Sequence, residues 1–185
     1  MNREQLAHVL RSAARIAADG DILVIGSQAI LATYDDVLLP PEATLSIEVD
    51  VAFWRDPDDS KADEVDGSIG EYSPFHEAFG YYGQGVSVTT AVLPAGWQDR
   101  VVHFDRPDAE PSSAVCVEAH DLVVSKLVAG REKDLSFAAS LIQQGLIEAA
   151  TLIERAGTID RPEAVRERVR NHIRRCTGRQ LDDEG

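Results

Sequence analysis

The chain has 185 residues and a formal net charge of -14 at pH 7, from 32 acidic side chains against 18 lysines and arginines. This length fits one domain with a single main core, and the acidic balance opposes a plain nucleic-acid-binding module. Cys116 and Cys176 form no C-x-x-C pattern, which argues against a disulfide framework or a zinc finger.

The sequence shows no targeting or membrane signal. Its first residues lead into an amphipathic helix rather than a signal peptide, and no apolar run approaches the roughly 18 residues of a membrane span. We therefore expect a cytoplasmic protein without a membrane partner.

Hydrophobic spacing predicts alternating helices and strands in the first half of the chain. Apolar residues recur at helical spacing up to Gly20, and a wholly apolar run that ends at Gly26 is typical of a strand buried on both faces. Strict alternation then indicates a further strand, and a stretch dense in Asp and Glu indicates a solvated loop. The predicted elements are a helix over 3–18, a strand over 22–25, a helix over 27–32, a strand over 44–54, a loop over 56–66 and a helix over 68–79.

Short strands precede a mostly helical second half. Residues 86–93 and 101–104 are predicted as strands joined across a Pro-Ala-Gly-Trp turn, which suggests a meander, and residues 114–117 as another strand. Predicted helices follow over 120–130, 134–144, 147–156 and 162–175. We expect residues 1–117 to form an α/β core and residues 118–185 to form a helical part that packs on it without folding independently.

Two acidic residues, Glu48 and Asp50, lie on the predicted strand over 44–54. Period-two alternation places both on one face, about 6.5–7 Å apart along the strand. Asp is poorly suited to strands, and two like charges side by side are unfavourable, so the pair favours a functional role. The alternative is the solvated face of an edge strand. The opposite face is predicted to carry Leu45, Ile47, Val49 and Val51.

The turn Gly26-Ser27 joins the predicted buried strand to the second predicted helix. Backbone N–H groups at a helix N-terminus suit phosphate oxygens, glycine lets them approach closely, and the Ser27 hydroxyl adds a donor. Two carboxylates on one strand face can bracket a Mg²⁺ ion, which would neutralise a triphosphate and align in-line attack on its α-phosphorus. The alternative for this turn alone is an ordinary strand-to-helix connection with a serine cap.

Three short runs in a fixed order resemble a known family. They are VIGSQA at 24–29, SIEVDV at 46–51 and KLVAGREKD at 126–134. Together with the stretches 83–87 and 93–100, they resemble the minimal nucleotidyltransferase-like proteins of bacteria, and within these the AbiEii-like group of abortive-infection and type IV toxin-antitoxin systems. The resemblance implies a minimal nucleotidyltransferase (polymerase-β-like) α/β fold: a short mixed sheet, flanking helices and a helical C-terminal part.

The resemblance also implies roles for individual residues. It makes Gly26 and Ser27 the phosphate-cradling turn, Glu48 and Asp50 the Mg²⁺ carboxylates, and Lys126 a phosphate contact. Asp134 would close the lysine motif as a further acid of the catalytic set. The implied reaction transfers a nucleoside monophosphate from an NTP to an acceptor, which in the toxin branch is tRNA, and a cognate antitoxin would be a protein partner.

The sequence departs from the family pattern at two places. The first metal acid is Glu48 where the family usually has Asp, and a third strand carboxylate is not evident, because residues 86–90 offer hydroxyls instead. The alternative is therefore a catalytically degenerate nucleotidyltransferase fold that acts as a binding partner in a toxin-antitoxin or regulatory complex.

Charged residues in the second half leave further alternatives open. Lys126 and Asp134 would lie about 80° apart on a continuous helix, but Gly130 can break that helix and change the geometry. The alternative for this pair is a surface-charged helical hairpin. An arginine-rich tail is the one plausible electrostatic landing site for tRNA, and the alternative there is a solvated helix with Glu–Arg pairs. Its arginines are Arg161, Arg166, Arg168, Arg170, Arg174, Arg175 and Arg179.

Overall fold

The computed structural model describes residues 1–178. A mixed sheet of five strands is flanked by helices, and a helical C-terminal part follows the last strand, so the predicted fold class is confirmed. The strands are β1 (Ile22–Val24), β2 (Glu48–Phe53), β3 (Tyr82–Gly85), β4 (Val102–His103) and β5 (Val115–Cys116). The helices are α1 (Arg3–Ile16), α2 (Ile30–Thr33), α3 (Pro41–Thr44), α4 (Ser60–Ile69), α5 (Pro74–Phe79), α6 (Ala119–Ala129), α7 (Glu132–Gln143), α8 (Ala149–Ala156) and α9 (Glu163–Gly178).

The sheet has the strand order β3-β2-β1-β5-β4. Strand β2 runs antiparallel to β1 and parallel to β3, whereas β5 runs parallel to β1 and antiparallel to β4. The predicted meander is wrong, because β3 and β4 occupy opposite edges of the sheet and do not pair. The acid-bearing strand β2 therefore lies inside the sheet between two neighbours, which also overturns the alternative of an edge strand.

The third strand begins earlier than the sequence predicts. Residues 82–85 pair with β2, whereas the predicted strand over 86–93 contains only a 3₁₀ turn (Val88–Thr90). The Val86 N–H donates to the Val51 carbonyl at 2.9 Å, and the chain then leaves the sheet. Tertiary pairing thus overrides the strong β propensity of the valines and threonines that follow.

Two glycines in β3 set the distance between the sheet and helix α4. A Cβ atom on Gly85 would lie 1.7 Å from the backbone oxygen of Ala62, and one on Gly83 would lie 2.8 Å from a methyl group of Val9. Helices α1 and α4 therefore pack directly on the backbone of β3. Because side chains alternate along a strand, Gln84, which lies between these glycines, points to the opposite face of the sheet.

The acidic stretch over 56–66 is not the solvated loop that the sequence predicts. Helix α4 begins at Ser60, and Ala62, Val65 and Ile69 recur on its buried side. Both carboxylate oxygens of Asp56 accept hydrogen bonds from backbone N–H groups in the first turn, at 3.1 and 2.9 Å. Three apolar residues at helical spacing lie among the many acids of this stretch. They form a narrow apolar stripe, which is enough to hold a surface helix on the core.

The boundaries of three further predicted elements change. The helix predicted over 68–79 is divided between α4 and α5, because Ser73 caps a new helix that starts at Pro74. The strand predicted over 44–54 is shorter, since β2 begins at Glu48 and Leu45 and Ile47 are exposed rather than on the buried face. The helix predicted over 27–32 is a 3₁₀ turn (Ser27–Ala29) followed by the short α2.

The C-terminal helices form as predicted, with boundaries within three residues of those expected. Helices α6 to α9 pack against one another, and Leu127, Leu141, Leu152 and Ile173 are fully buried among them. The division of the chain at residues 117 and 118 stays a prediction. Among the residues that the structure describes, no helix is both long and apolar enough to cross a bilayer.

Candidate active site

Glu48 and Asp50 lie side by side on one face of β2, while Val49 and Val51 between and beyond them are buried on the other. The two carboxyl groups are within hydrogen-bond reach of each other. Burial and the neighbouring Glu48 together raise the pKa of Asp50 to about 6, against the opposing positive charges of Lys126 and Arg131. Without a cation beside it, Asp50 therefore keeps its proton to a higher pH than an ordinary aspartate does.

Gly26 follows the end of β1 after one residue, Ile25, and lies against the Asp50 carboxyl group. A Cβ atom at position 26 would fall 1.5 Å from Oδ2 of Asp50, so only glycine leaves room for this carboxylate. The Ile25 N–H donates to the Asp50 carbonyl at 3.2 Å and fixes the two chains at this point. The structure thus brings the predicted turn and the predicted acid into direct contact.

Ser27 opens the 3₁₀ turn without capping it. The N-cap residue is Gly26, with no side-chain cap, which overturns the alternative of a plain serine cap. Within residues 1–178, no group hydrogen-bonds the Ser27 hydroxyl, so it remains available to a ligand. The helical segment after this turn is short, and the expected contribution of a helix N-terminus to phosphate binding therefore loses its basis.

Lys126 and Asp134 meet because the chain reverses between them. Gly130 ends α6 with a φ of +66°, and α7 begins at Glu132, so the two side chains face each other. The Lys126 Nζ lies 3.6 Å from Oδ1 of Asp134, which is only 1% exposed. This burial excludes the surface-charged hairpin for Asp134.

The Lys126 ammonium group is largely buried and lies near an aromatic ring. Its side chain is 13% exposed, and its Nζ lies 5.3 Å from the centroid of the Phe137 ring. Burial lowers the pKa of Lys126, while the charges of Asp134 and Asp50 act to raise it. Lys126 therefore contacts the buried Asp134 and lines one cavity with the strand acid Asp50.

Arg131 completes this charge cluster. Its Nε donates to Oδ2 of Asp134 at 2.7 Å and its Nη2 to Oδ1 at 3.3 Å, while most of its side chain stays exposed. Asp134 raises the pKa of Arg131, and the charges of Asp50 and Glu48 add to this effect. Asp134 thus presents two cations towards the strand carboxylates.

The residues of β3 that lie beside the two acids are neutral, so strand β3 supplies no third carboxylate. Strand β3 pairs Tyr82 with Glu48 and Gln84 with Asp50, so these four side chains share one face. The Tyr82 hydroxyl donates to Oε2 of Glu48 at 3.0 Å, and burial together with this bond raises the pKa of Tyr82. The hydroxyls of residues 86–90 do not replace a third acid, because those residues lie beyond the end of β3.

Two cavities meet at Lys126. The larger has a volume of about 610 Å³ and is lined by Ser27, Leu45 and Phe137 among others. The smaller has a volume of about 300 Å³ and is lined by Gly26, Asp50, Arg131 and the segment 90–92. The predicted turn, the strand acid and the lysine therefore surround one concave region.

Residues 4–156 match the family described as "Nucleotidyltransferase of unknown function (DUF6036)". The match spans most of the chain and includes every predicted site residue from Gly26 to Asp134. The chain belongs to this family. Comparisons with curated proteins and with solved structures gave no match.

This family match confirms the predicted resemblance to nucleotidyltransferase-like proteins. The match includes the three runs at 24–29, 46–51 and 126–134, whereas α9 and its arginines lie beyond it. The match does not identify the AbiEii-like branch or a toxin-antitoxin role, and both stay predictions.

The arginines of α9 in this nucleotidyltransferase-family chain are mostly paired. Arg166 and Arg170 form ion pairs with Glu163, and Arg170 and Arg174 with Glu167. This arrangement is the solvated helix with Glu–Arg pairs that the sequence left as an alternative. Arg179 of the predicted tail lies outside the described residues.

Sequence reasoning missed three residues of the site. Tyr82 and Gln84 were overlooked because the third strand was predicted four residues too late, and the alternation Tyr-Gly-Gln-Gly was the available signal. Arg131 belongs to the KLVAGREKD run but received no role, since only the turn at Gly130 brings it beside Asp134.

Proposed function

We propose that the protein is a Mg²⁺-dependent nucleotidyltransferase, which transfers a nucleoside monophosphate from an NTP to an acceptor hydroxyl. The observation that carries this proposal is the contact between the Asp50 carboxylate and the Gly26-Ser27 turn, with Lys126 in the lining of the same cavity. The Asp50 carboxylate for a metal, the Ser27 hydroxyl and the buried Lys126 cation for phosphate thus line two cavities that share Lys126. A cytoplasmic location, where NTPs are abundant, is part of this proposal.

The donor set suits Mg²⁺ bound together with a nucleotide. Within residues 1–178, no three His, Cys, Asp or Glu side chains are grouped so that they could hold a metal ion. Glu48 and Asp50 supply two neighbouring carboxylates on β2. Mg²⁺ commonly uses one or two protein carboxylates and completes its shell with phosphate oxygens and water. When bound, the ion would neutralise phosphate charge and favour in-line displacement.

The other residues of the site bind and orient the substrate. The Ser27 hydroxyl and the Lys126 ammonium would contact the triphosphate, and the buried Asp134 would hold Lys126 and Arg131 in place. Asp134 therefore acts as a positioning residue rather than touching the reacting atoms. As the acceptor oxygen bonds to the α-phosphorus, the bond to pyrophosphate breaks, and the hydroxyl proton passes to solvent water.

A transfer assay tests the proposed activity. Purified protein is incubated with each α-labelled NTP, Mg²⁺ and total tRNA, and we expect label on the acceptor that disappears in Asp50→Ala and in EDTA. The control is Asp63→Ala, an exposed aspartate of α4 that should leave transfer unchanged. Absence of both NTP binding and transfer at millimolar Mg²⁺ would reject the proposal.

A second candidate function is a catalytically degenerate partner protein, for example in an AbiEii-like toxin-antitoxin pair. Two observations favour it: Tyr82 occupies one oxygen of Glu48, and the neutral Gln84 lies where a third acid would be useful. The run from residue 37 to residue 47 carries four exposed apolar side chains, which offer contacts for a cognate antitoxin. These side chains are Val37, Leu38, Leu45 and Ile47.

Calorimetry separates the two candidates. The degenerate partner would show no Mg²⁺-dependent NTP binding, and its association with the protein of a neighbouring gene would survive Glu48→Ala and Asp50→Ala. The same association should be lost in Leu38→Asp with Leu45→Asp, because both side chains are exposed in the run from residue 37 to residue 47. Mg²⁺-dependent NTP binding by the wild type would favour the enzyme.

A further inference from the structure

The two cavities that meet at Lys126 differ in chemistry. The larger cavity combines the apolar side chains of Leu45 and Phe137 with the hydroxyls of Ser46 and Ser136. Both cavities fall within the range of about 300–1,000 Å³ that is typical of small-ligand sites, but the smaller lies at its lower limit. The two cavities therefore differ in volume and in lining, and each suits a different part of the reaction.

The larger cavity suits a nucleoside better than a triphosphate. Glu42, Glu132 and Asp134 line it against Lys126 and Lys133, so its acids outnumber its cations. Carboxylates repel phosphate but accept hydrogen bonds from ribose hydroxyls and exocyclic amino groups. The apolar contacts of Leu45 and Phe137 suit the faces of a base.

The smaller cavity is the side on which the reacting carboxylate is accessible. Asp50 and Gly26 line it, and Arg131 and Lys126 make its charged lining net positive. Thr90 to Val92, the segment after β3, form its outer wall, and Thr90 is exposed. A nucleophile that carries a phosphate next to its hydroxyl would find Asp50 and Arg131 together here.

We infer that the donor nucleoside occupies the larger cavity and that the acceptor enters through the smaller one, with the α-phosphate beside Lys126 between them. This inference rests on the proposed nucleotidyl transfer. In-line displacement requires the attacking oxygen and the leaving pyrophosphate on opposite sides of the α-phosphorus, so the acceptor needs its own approach. The acceptor class is a hydroxyl compound with an adjacent phosphate, either the end of a nucleic acid or a small nucleotide.

Two matched tryptophan substitutions test the assignment. Ser136→Trp fills the larger cavity and Thr90→Trp fills the smaller one, and both positions tolerate a large side chain because neither is buried. We expect Ser136→Trp to weaken Mg²⁺-dependent NTP binding by about tenfold or more, since it removes the nucleoside site. Thr90→Trp should leave the NTP Kd within about twofold and reduce transfer by about tenfold or more.

Calorimetry with Mg²⁺ and each NTP measures NTP binding. The labelled-NTP assay measures transfer, and running it with either total tRNA or a nucleoside monophosphate distinguishes the two acceptor sources. Leu45→Asp is a second variant of the larger cavity, chosen because this side chain is 73% exposed and its replacement should not disturb folding. It too should weaken NTP binding.

The outcomes separate the inference from the proposed function. Loss of NTP binding in Thr90→Trp, with normal binding in Ser136→Trp and Leu45→Asp, would reverse the assignment, and equal losses in all three would reject a division into two sites. If the wild type binds no NTP, the proposed function fails first and the inference fails with it. If the wild type binds NTP but the variants contradict the pattern, only the inference fails.

Discussion

Asp50 carries the main energetic cost of the site at the scale of single residues. Its folded-state pKa of about 6 lies above the ordinary value of 3.8, because the carboxyl is buried beside Glu48. Between these two values the native state holds a proton that the unfolded chain has lost, so stability falls as pH rises through this window. A carboxylate pair placed for a metal thus destabilises the metal-free protein near neutral pH.

Asp50→Asn should therefore stabilise the protein while abolishing Mg²⁺-dependent NTP binding. We expect a gain in the free energy of unfolding of roughly 2 kcal/mol above pH 6, which shrinks as pH falls towards 4. Urea unfolding between pH 4 and pH 8 without Mg²⁺ measures this gain. The exposed Asp63→Asn is the control, and a gain independent of pH would contradict the assigned cause.

The glycine at position 26 should be essential for the site but not for the fold. Gly26→Ala places a methyl group where Oδ2 of Asp50 lies, and the flexible carboxylate can move away, because the φ of -93° is accessible to alanine. We expect a stability loss of about 1 kcal/mol or less, together with loss of Mg²⁺-dependent NTP binding by calorimetry. Unchanged binding would show that the contact between Gly26 and Asp50 has no functional role.

At the scale of elements, the packing of α4 on β3 fixes the position of β3, which lies beside the acid-bearing strand β2. Gly85→Ala would push a methyl group into the backbone of α4, which cannot rotate away as a side chain can. We expect a loss of about 3 kcal/mol or more in the free energy of unfolding, measured in urea. Gly67→Ala is the control, because position 67 has open space and a helical alanine should stabilise by about 0.5–1 kcal/mol.

The junction between α6 and α7 depends on the buried charge of Asp134. Asp134→Asn leaves the nearly buried Lys126 without its close counter-charge, while the exposed Arg131 can return to water. We expect a destabilisation of about 2–3 kcal/mol and weaker NTP binding, because Lys126 loses its orientation. Glu132→Gln, an exposed acid two residues away, should change stability by less than about 0.5 kcal/mol. Equal effects of both substitutions would contradict a special role for Asp134.

At the scale of the whole molecule, charge limits which acceptors the protein can hold. The chain carries a net charge of -14, and Glu163 and Glu167 already neutralise several arginines of α9. Arg175 is exposed and has no hydrogen bond or ion pair within residues 1–178, so it is free to contact a phosphate. Any tRNA contact by α9 should therefore involve few phosphates.

Fluorescence anisotropy with labelled tRNA tests this expectation. We expect weak binding that falls with salt with a shallow slope, equivalent to about one or two phosphate contacts, and further weakening in Arg174→Ala with Arg175→Ala. Arg15→Ala, on α1, is the control for loss of one positive charge. Binding that is independent of salt would exclude an electrostatic contact through α9.

Local periodicity was sufficient to place much of this site. Alternation along β2 put Glu48 and Asp50 on one face, and a glycine between two helical patterns indicated the break that brings Lys126 near Asp134. These features depend on side-chain direction within one element, which the sequence encodes through residue spacing. For the same reason an α/β core and a helical second half were predicted from residue spacing, whereas the nucleotidyltransferase fold was implied by the family resemblance and the roles of the site residues stay predictions.

Only the tertiary structure decided which elements meet. The acidic α4, the early start of β3 and the pairing of Gln84 with Asp50 depend on register and on the close approach of Gly85 to Ala62, which are contacts between distant parts of the chain. The ion pairs of Arg131 likewise required the reversal at Gly130. Strand register and helix packing are set by complementary surfaces rather than by local propensity, so a neutral third position beside the two acids was not evident from sequence spacing.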